Sequence, residues 1–203
     1  MSGSRAAILD KIRLAVGRQP GDAPAPRPFS SAIALAAAGN LEQHLRERLA
    51  VTGVTMECLP GMQALPDALA GYLARRRLAG PVALAPSLAS LDWRDLPVDV
   101  GSALPHHTVA VGKAFAGIAA TGSLVMLADA DNPPRLNFLP EHHLVVLSRS
   151  RLLARLEQLW PLLTGRDTQA VHLVTGPSST ADIGGQLLYG AHGPRAVHVL
   201  LTP

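Results

Sequence analysis

Seven runs of strand length, none longer than six residues and all rich in apolar side chains, restrict what this chain can fold into. They cover residues 54–59, 82–85, 108–111, 122–127, 144–147, 171–174 and 197–201. Helical patterns separate several of them. Leu41 to Ala50 follows Asn40, a natural N-cap, and Pro66 to Leu78 is ended by Gly80-Pro81. Arg151 to Leu163 places Leu152, Leu156, Leu159 and Leu163 at helical spacing. Short apolar strands alternating with helices predict an α/β domain built on a largely parallel, buried sheet.

Composition supports a packed core. Hydrophobic residues make up 48% of the 203 and charged residues only 16%, which excludes an intrinsically disordered chain. Aromatics are 3% and alanines number 32, so Leu, Val, Ile and Ala must fill the interior at close backbone spacing. The single cysteine, Cys58, rules out an internal disulfide, a CxxC redox pair, a thiolate zinc cage and an iron–sulfur site.

The net charge is +3, and Lys11 and Lys113 are the only lysines. Arg75-Arg76-Arg77 closes an expected helix, where three cations complement its dipole. No aromatic stacking set accompanies them, so nucleic acid is not an expected partner. The apolar stretch from Ala114 to Ala128 falls short of the roughly 20 residues that span a bilayer. With no export signal either, the expectation is a cytoplasmic protein without a membrane span. Ile8, Leu9, Ile12 and Val16 give residues 4–16 one apolar helical face, and prolines at 20, 24, 26 and 28 follow. The expected organisation is an amphipathic helix in 1–18, a Pro-rich linker in 19–31 and a folded domain in 32–203.

Three polar, glycine-rich segments stand where neighbouring strands end, the zone in which open α/β sheets bind small ligands. Ala119-Ala120-Thr121-Gly122-Ser123 leads into a strand and is either a tight turn or a source of hydroxyls and N–H groups for an anion. Thr175-Gly176-Pro177-Ser178-Ser179-Thr180-Ala181-Asp182-Ile183 sets three hydroxyls and an acid after a Gly-Pro turn, either as a ligand cradle or as caps. It lacks the Gly-Lys-Ser/Thr ending of a Walker loop. In Gly190-Ala191-His192-Gly193-Pro194-Arg195, His192 is either a surface residue in a turn or an acid, base or hydrogen-bond donor. His106-His107 and His142-His143 are adjacent pairs, and neighbours on a strand point to opposite faces, so no metal site is expected. His44 and His172 read as ordinary helix or strand residues.

These segments resemble the LUD domain, and in particular the lactate-utilisation protein C (LutC/YkgG) family. The resemblance rests on 117–125, on Pro134-Arg135-Leu136 with Leu139-Pro140 and His143, on Gly176-Pro177-Ser178-Ser179-Thr180-Ala181-Asp182-Ile183, and on His192-Gly193-Pro194-Arg195 with His198. It implies that 32–203 is a LUD domain with a parallel-sheet α/β sandwich similar to the NagB/RpiA/CoA-transferase-like fold. It also implies a role in oxidising L-lactate to pyruvate as an accessory or regulatory subunit. The partners would be iron–sulfur subunits that carry the clusters, and this chain would hold no cofactor of its own. The ligand would be a small organic acid or phosphate. Thr121, Ser123, Ser178, Ser179 and Thr180 would donate to it beside Gly122, Gly176 and His143. Arg135 would clamp a carboxylate, and Asp182 and His192 would orient it or exchange protons. The family usually has Glu where this chain has Ala120, which argues against a glutamyl thioester route. The alternatives are a stand-alone enzyme acting on an acyl- or phosphate-bearing substrate and a scaffold for the iron–sulfur subunits.

Overall fold

The protein's structure is a computed structural model that describes residues 3–17, 40–180 and 188–203. The expected linker, 19–31, lies outside the described residues. The chain divides into two units, residues 1–34 and 35–203. In the first, α1 (Gly3–Ala15) is a helix with an Arg13–Asp10 ion pair at 2.8 Å.

In the second unit, α2 (Leu41–Val51) precedes β1 (Thr55–Cys58), and α3 (Leu65–Arg76) leads to β2 (Val82–Leu84), β3 (Val98–Val100) and β4 (Val109–Lys113). Next come β5 (Ala116–Ile118), β6 (Ser123–Ala128), α4 (Arg135–Phe138) and β7 (His142–Ser148). After β8 (Leu152–Leu153) and α5 (Leu159–Leu163) the chain forms β9 (Ala170–Val174), β10 (Ser179–Thr180), β11 (Leu188–Tyr189) and β12 (Ala196–Thr202).

Six strands make one parallel sheet in the order β1-β12-β7-β4-β2-β3. A second, mixed sheet runs β8-β5-β6-β9, and β10 pairs with β11 as a small antiparallel ribbon. All seven runs singled out in the sequence are strands. The fold is the α/β sandwich with a mostly parallel sheet that the sequence predicts.

Period-two alternation distributes the core. On β7 and β12, Leu144, Val146 and Leu200 join Leu65, Leu69 and Tyr72 of α3 in one cluster. Val145, Leu147, Val197, Val199 and Leu201 face the other way and pack with Leu45 and Leu49 of α2 and with Leu124 and Met126 of β6. The intervening β6 residues, Val125 and Leu127, meet Ile118 and Leu159 on the far side of the second sheet. Each central strand is thus buried on both faces, which is why its sequence is a continuous apolar run rather than an alternating one.

Helix α2 starts on its expected cap. The Asn40 side chain accepts the Gln43 N–H at 3.0 Å. Asn40→Ala is expected to cost about 1 kcal/mol in urea unfolding.

One element departs from its sequence pattern. The helix expected over 151–163 exists only as Leu159–Leu163, after a single 3-10 turn at Leu156–Gln158. Leu152 and Leu153 instead pair in parallel with Gly117 and Ile118 of β5. The Gln158 side chain accepts the N–H groups of Ala154 and Arg155, which fixes a new helical start three residues further on. Pro161 lacks the N–H a longer helix would need at that point. The leucine spacing was real, but its apolar face is shared between a strand and a short helix.

Candidate functional site

Two of the three glycine-rich segments converge. Beyond β9, Ser178 donates its N–H to Pro194 O at 2.8 Å, and Gly190 N–H donates to Ser178 O at 2.8 Å. These bonds join the 176–178 turn to the 190–194 loop. With α4 they enclose a cleft of about 280 Å³ lined by Gly176, Ser178, His192, Asn137, Phe138 and Val197, among others. Leu173 and Val174 complete its apolar side.

Asn137 supplies the cleft's sharpest polar feature. The residue is 1% exposed, and its Nδ2 has no hydrogen-bond partner. Its Oδ1 accepts from Asn132 Nδ2 at 3.4 Å, which fixes the amide orientation and leaves Nδ2 unsatisfied. A buried donor without an acceptor costs about 1–3 kcal/mol. Asn137 carried no sequence signal beyond its place in the Pro-Arg-Leu-Asn segment.

Arg135 opens the same short helix and is exposed. It borders an adjoining depression of about 250 Å³ with Pro134, Phe138 and Leu139, so Phe138 is the wall common to both. Ser179 and Thr180 form β10 and do not line the cleft. Asp182 lies outside the described residues.

The first segment goes elsewhere. Thr121 Oγ1 and Ser123 Oγ are 2.6 Å apart in the β5–β6 turn, and neither borders the cleft. Gly122 has φ +69 and lies under α2, where an added Cβ would sit 2.7 Å from Arg48 Cβ. Its role is to seat a helix, the plainer of the two readings open to it. Gly176 lines the cleft but also packs against the residue that caps α2, since its Cβ would meet Thr52 Cβ at 2.8 Å.

His143 is not at the cleft surface either. It is fully buried, with both ring nitrogens unpartnered, and burial pushes its imidazole down to about 4. A Cβ on Gly112 would lie 3.2 Å from its Nε2 and 3.0 Å from Asn132 Oδ1. Its neighbour His142 faces the opposite side of the sheet, where Nδ1 lies 2.9 Å from Tyr72 Oη. His198 stacks on Tyr72 at 5.1 Å between centroids and contacts Thr55 Oγ1 at 2.6 Å through Nδ1. Burial lowers the pKa of both.

His106 and His107 behave differently, because they stand in a loop rather than a strand. Their rings lie 4.1 Å apart, and both approach Asp99, with one potential ligand atom from each residue within a 4.8 Å span. His107 Nδ1 accepts the Leu104 N–H at 2.9 Å, so a neutral ring carries its proton on Nε2, 3.0 Å from Asp99 Oδ2. Ligating a metal through Nε2 would break both bonds, and the trio reads as a clasp between β3 and the following loop.

At the other end of the sheet lies a crevice that the sequence reading passed over, with Ser87, Lys113, Arg151 and Arg166 on its walls. The available signal was positional. Lys113 directly ends an apolar strand run and is one of only two lysines.

Clefts at the sheet ends of an α/β fold are where such folds commonly place small-ligand sites. Residues 104–202 match the family model of the LUD domain. The YkgG protein of Escherichia coli (strain K12) is 34% identical over 100 residues, covering 45% of this chain and 43% of its own. Lactate utilization protein C of Anoxybacillus flavithermus is 29% identical over 87 residues, covering 42% and 40%, and that of Bacillus pumilus 33% over 91, covering 41% and 38%. These matches span less than half the length of each curated relative. A DUF162 family protein from Deinococcus radiodurans shares the fold at TM-score 0.56 and 18% identity, covering 81% of this chain and 97% of that one. Among the described residues no helix is long and apolar enough to cross a membrane.

Proposed function

We propose that this LUD-domain chain serves lactate utilisation and binds a small organic acid in the cleft between α4 and the loops after β9 and before β12. The observation that carries the reading is the unpartnered amide of Asn137 in the wall of a cleft that also holds Ser178 and His192. A hydroxy or keto acid offers an oxygen acceptor to Asn137 Nδ2 and a second to Ser178 or His192. Its methyl group meets Phe138, Leu173 and Val197. Arg135, which is in no ion pair among the described residues, supplies positive charge beside the cleft. In this reading His192 orients the ligand or exchanges a proton with it, assisted by Asp182. The names of the curated relatives support the pathway. With Cys58 as its one cysteine, the chain acts as an accessory or regulatory subunit in the cytoplasm, and the electrons pass through iron–sulfur partner subunits.

Titration calorimetry of the full chain with L-lactate and with pyruvate tests the cleft. Binding of at least one acid is expected, weakened about tenfold by His192→Ala and by Arg135→Ala, as loss of one charge-assisted or buried hydrogen bond predicts. Absence of heat with both acids refutes the proposal.

A further inference from the structure

A crevice of about 340 Å³ opens at the carboxyl ends of the parallel strands. There β2 passes the chain to β3 on one side, while its neighbour β4 sends it, by way of the second sheet, towards β7 on the other. Strands that part in this way leave a gap at their carboxyl ends, where open α/β sheets bind ligands. Ser87, just after β2, and Lys113, the last residue of β4, stand on the two lips of that gap.

Lys113, Arg151 and Arg166 line the crevice, and none forms an ion pair among the described residues. The Arg151 and Arg166 guanidiniums lie 5.4 and 4.5 Å from the centroid of Phe115, so one aromatic ring holds both cations at the same wall. The three cations repel one another, the Asp129 and Asp131 carboxylates in the same lining offset part of that cost, and an anion seated between the cations would offset more. Asp129 also lines the crevice, but its Oδ1 accepts the N–H groups of Asp131 and Asn132 at 3.0 and 2.9 Å, which commits it to shaping the loop. Asp131 adds a second carboxylate to the lining. The Ser87 hydroxyl is buried at the crevice and has no hydrogen-bond partner.

We infer that this crevice binds the phosphate group of a small phosphorylated molecule. Two planar guanidiniums, an ammonium and a hydroxyl present donors to a tetrahedral dianion, whose oxygens outnumber those of a monocarboxylate. The crevice and the organic-acid cleft share no lining residue, so the two sites stand or fall separately.

Calorimetry of the full chain with inorganic phosphate and with glycerol 3-phosphate at low ionic strength tests the inference. Both probes are expected to bind, and Arg151→Ala and Arg166→Ala each to weaken them about tenfold. His192→Ala is expected to leave phosphate affinity unchanged even where it weakens L-lactate. Should the arginine variants fold poorly, Ser87→Ala removes only an unpartnered hydroxyl and is expected to weaken phosphate at least threefold. Wild-type protein that gives no heat with either probe overturns the inference. So does phosphate affinity unchanged by both Ser87→Ala and the Arg151→Ala/Arg166→Ala double variant.

Discussion

Between pH 6.5 and pH 5 the protein is expected to lose about 2 kcal/mol of folding stability through His143 alone. The imidazole is fully buried and titrates at about 4 in the folded protein, against 6.5 for a free ring. Over that interval the unfolded chain binds the proton and the folded chain does not, so acid draws the equilibrium towards unfolding. Stability from this group is complete above pH 6.5 and is lost as pH falls towards 4. His142 and His198, also lowered by burial, act in the same direction. Urea unfolding at pH 7 and pH 5 measures the effect in a range where ordinary carboxylates stay ionised. His143→Met is expected to shrink the difference between the two pH values by about 2 kcal/mol, whatever it does to absolute stability. Equal stability of the wild type at both pH values would falsify the assignment.

Gly122→Ala is expected to destabilise the domain by about 3 kcal/mol. An alanine at φ +69 pays the left-handed backbone cost, and its Cβ would stand 2.7 Å from Arg48 Cβ and 3.1 Å from the Arg48 carbonyl carbon. Backbone cannot rotate away, so α2 must lift and disturb Leu45 and Leu49, both fully buried beneath it. The folded variant should keep its affinity for L-lactate, because Gly122 lies outside the cleft. A loss of under about 1 kcal/mol in chemical denaturation would show that the helix is not seated as described.

The fold was largely legible because burial on both faces leaves a strong mark. Val109 to Val111 and Leu144 to Leu147 could hardly be anything but interior strands. Short pairings such as Leu152–Leu153 with β5 were not legible, since two residues carry no periodicity and their partner is 35 positions away in register. The site divided in the same way. Ser178, His192 and Gly176 stood out as a motif and do share a cleft. Thr121 and Ser123 have the same residue types but hydrogen-bond to each other in a turn. His143 looked like a ligand group in the one-dimensional pattern, and only the packing of Gly112 and Asn132 shows it sealed inside. Arg151 and Arg166 were invisible as a pair, because Phe115 brings them together from either side of α5.

The position of β12 has a consequence for how the molecule is made. It lies between β7 and β1, with Thr55 in register with His198 and Leu144 in register with the same residue. On a ribosome, β1 emerges more than a hundred residues before the strand it pairs with, and β7 waits with one edge open. Both remain unmatched edges until β12 slides between them. Such long-range closure slows folding and leaves the nascent chain exposed to wrong strand partners. A chaperone that shields apolar strand edges during synthesis would therefore act on β1 and β7, and its work would end when β12 arrives.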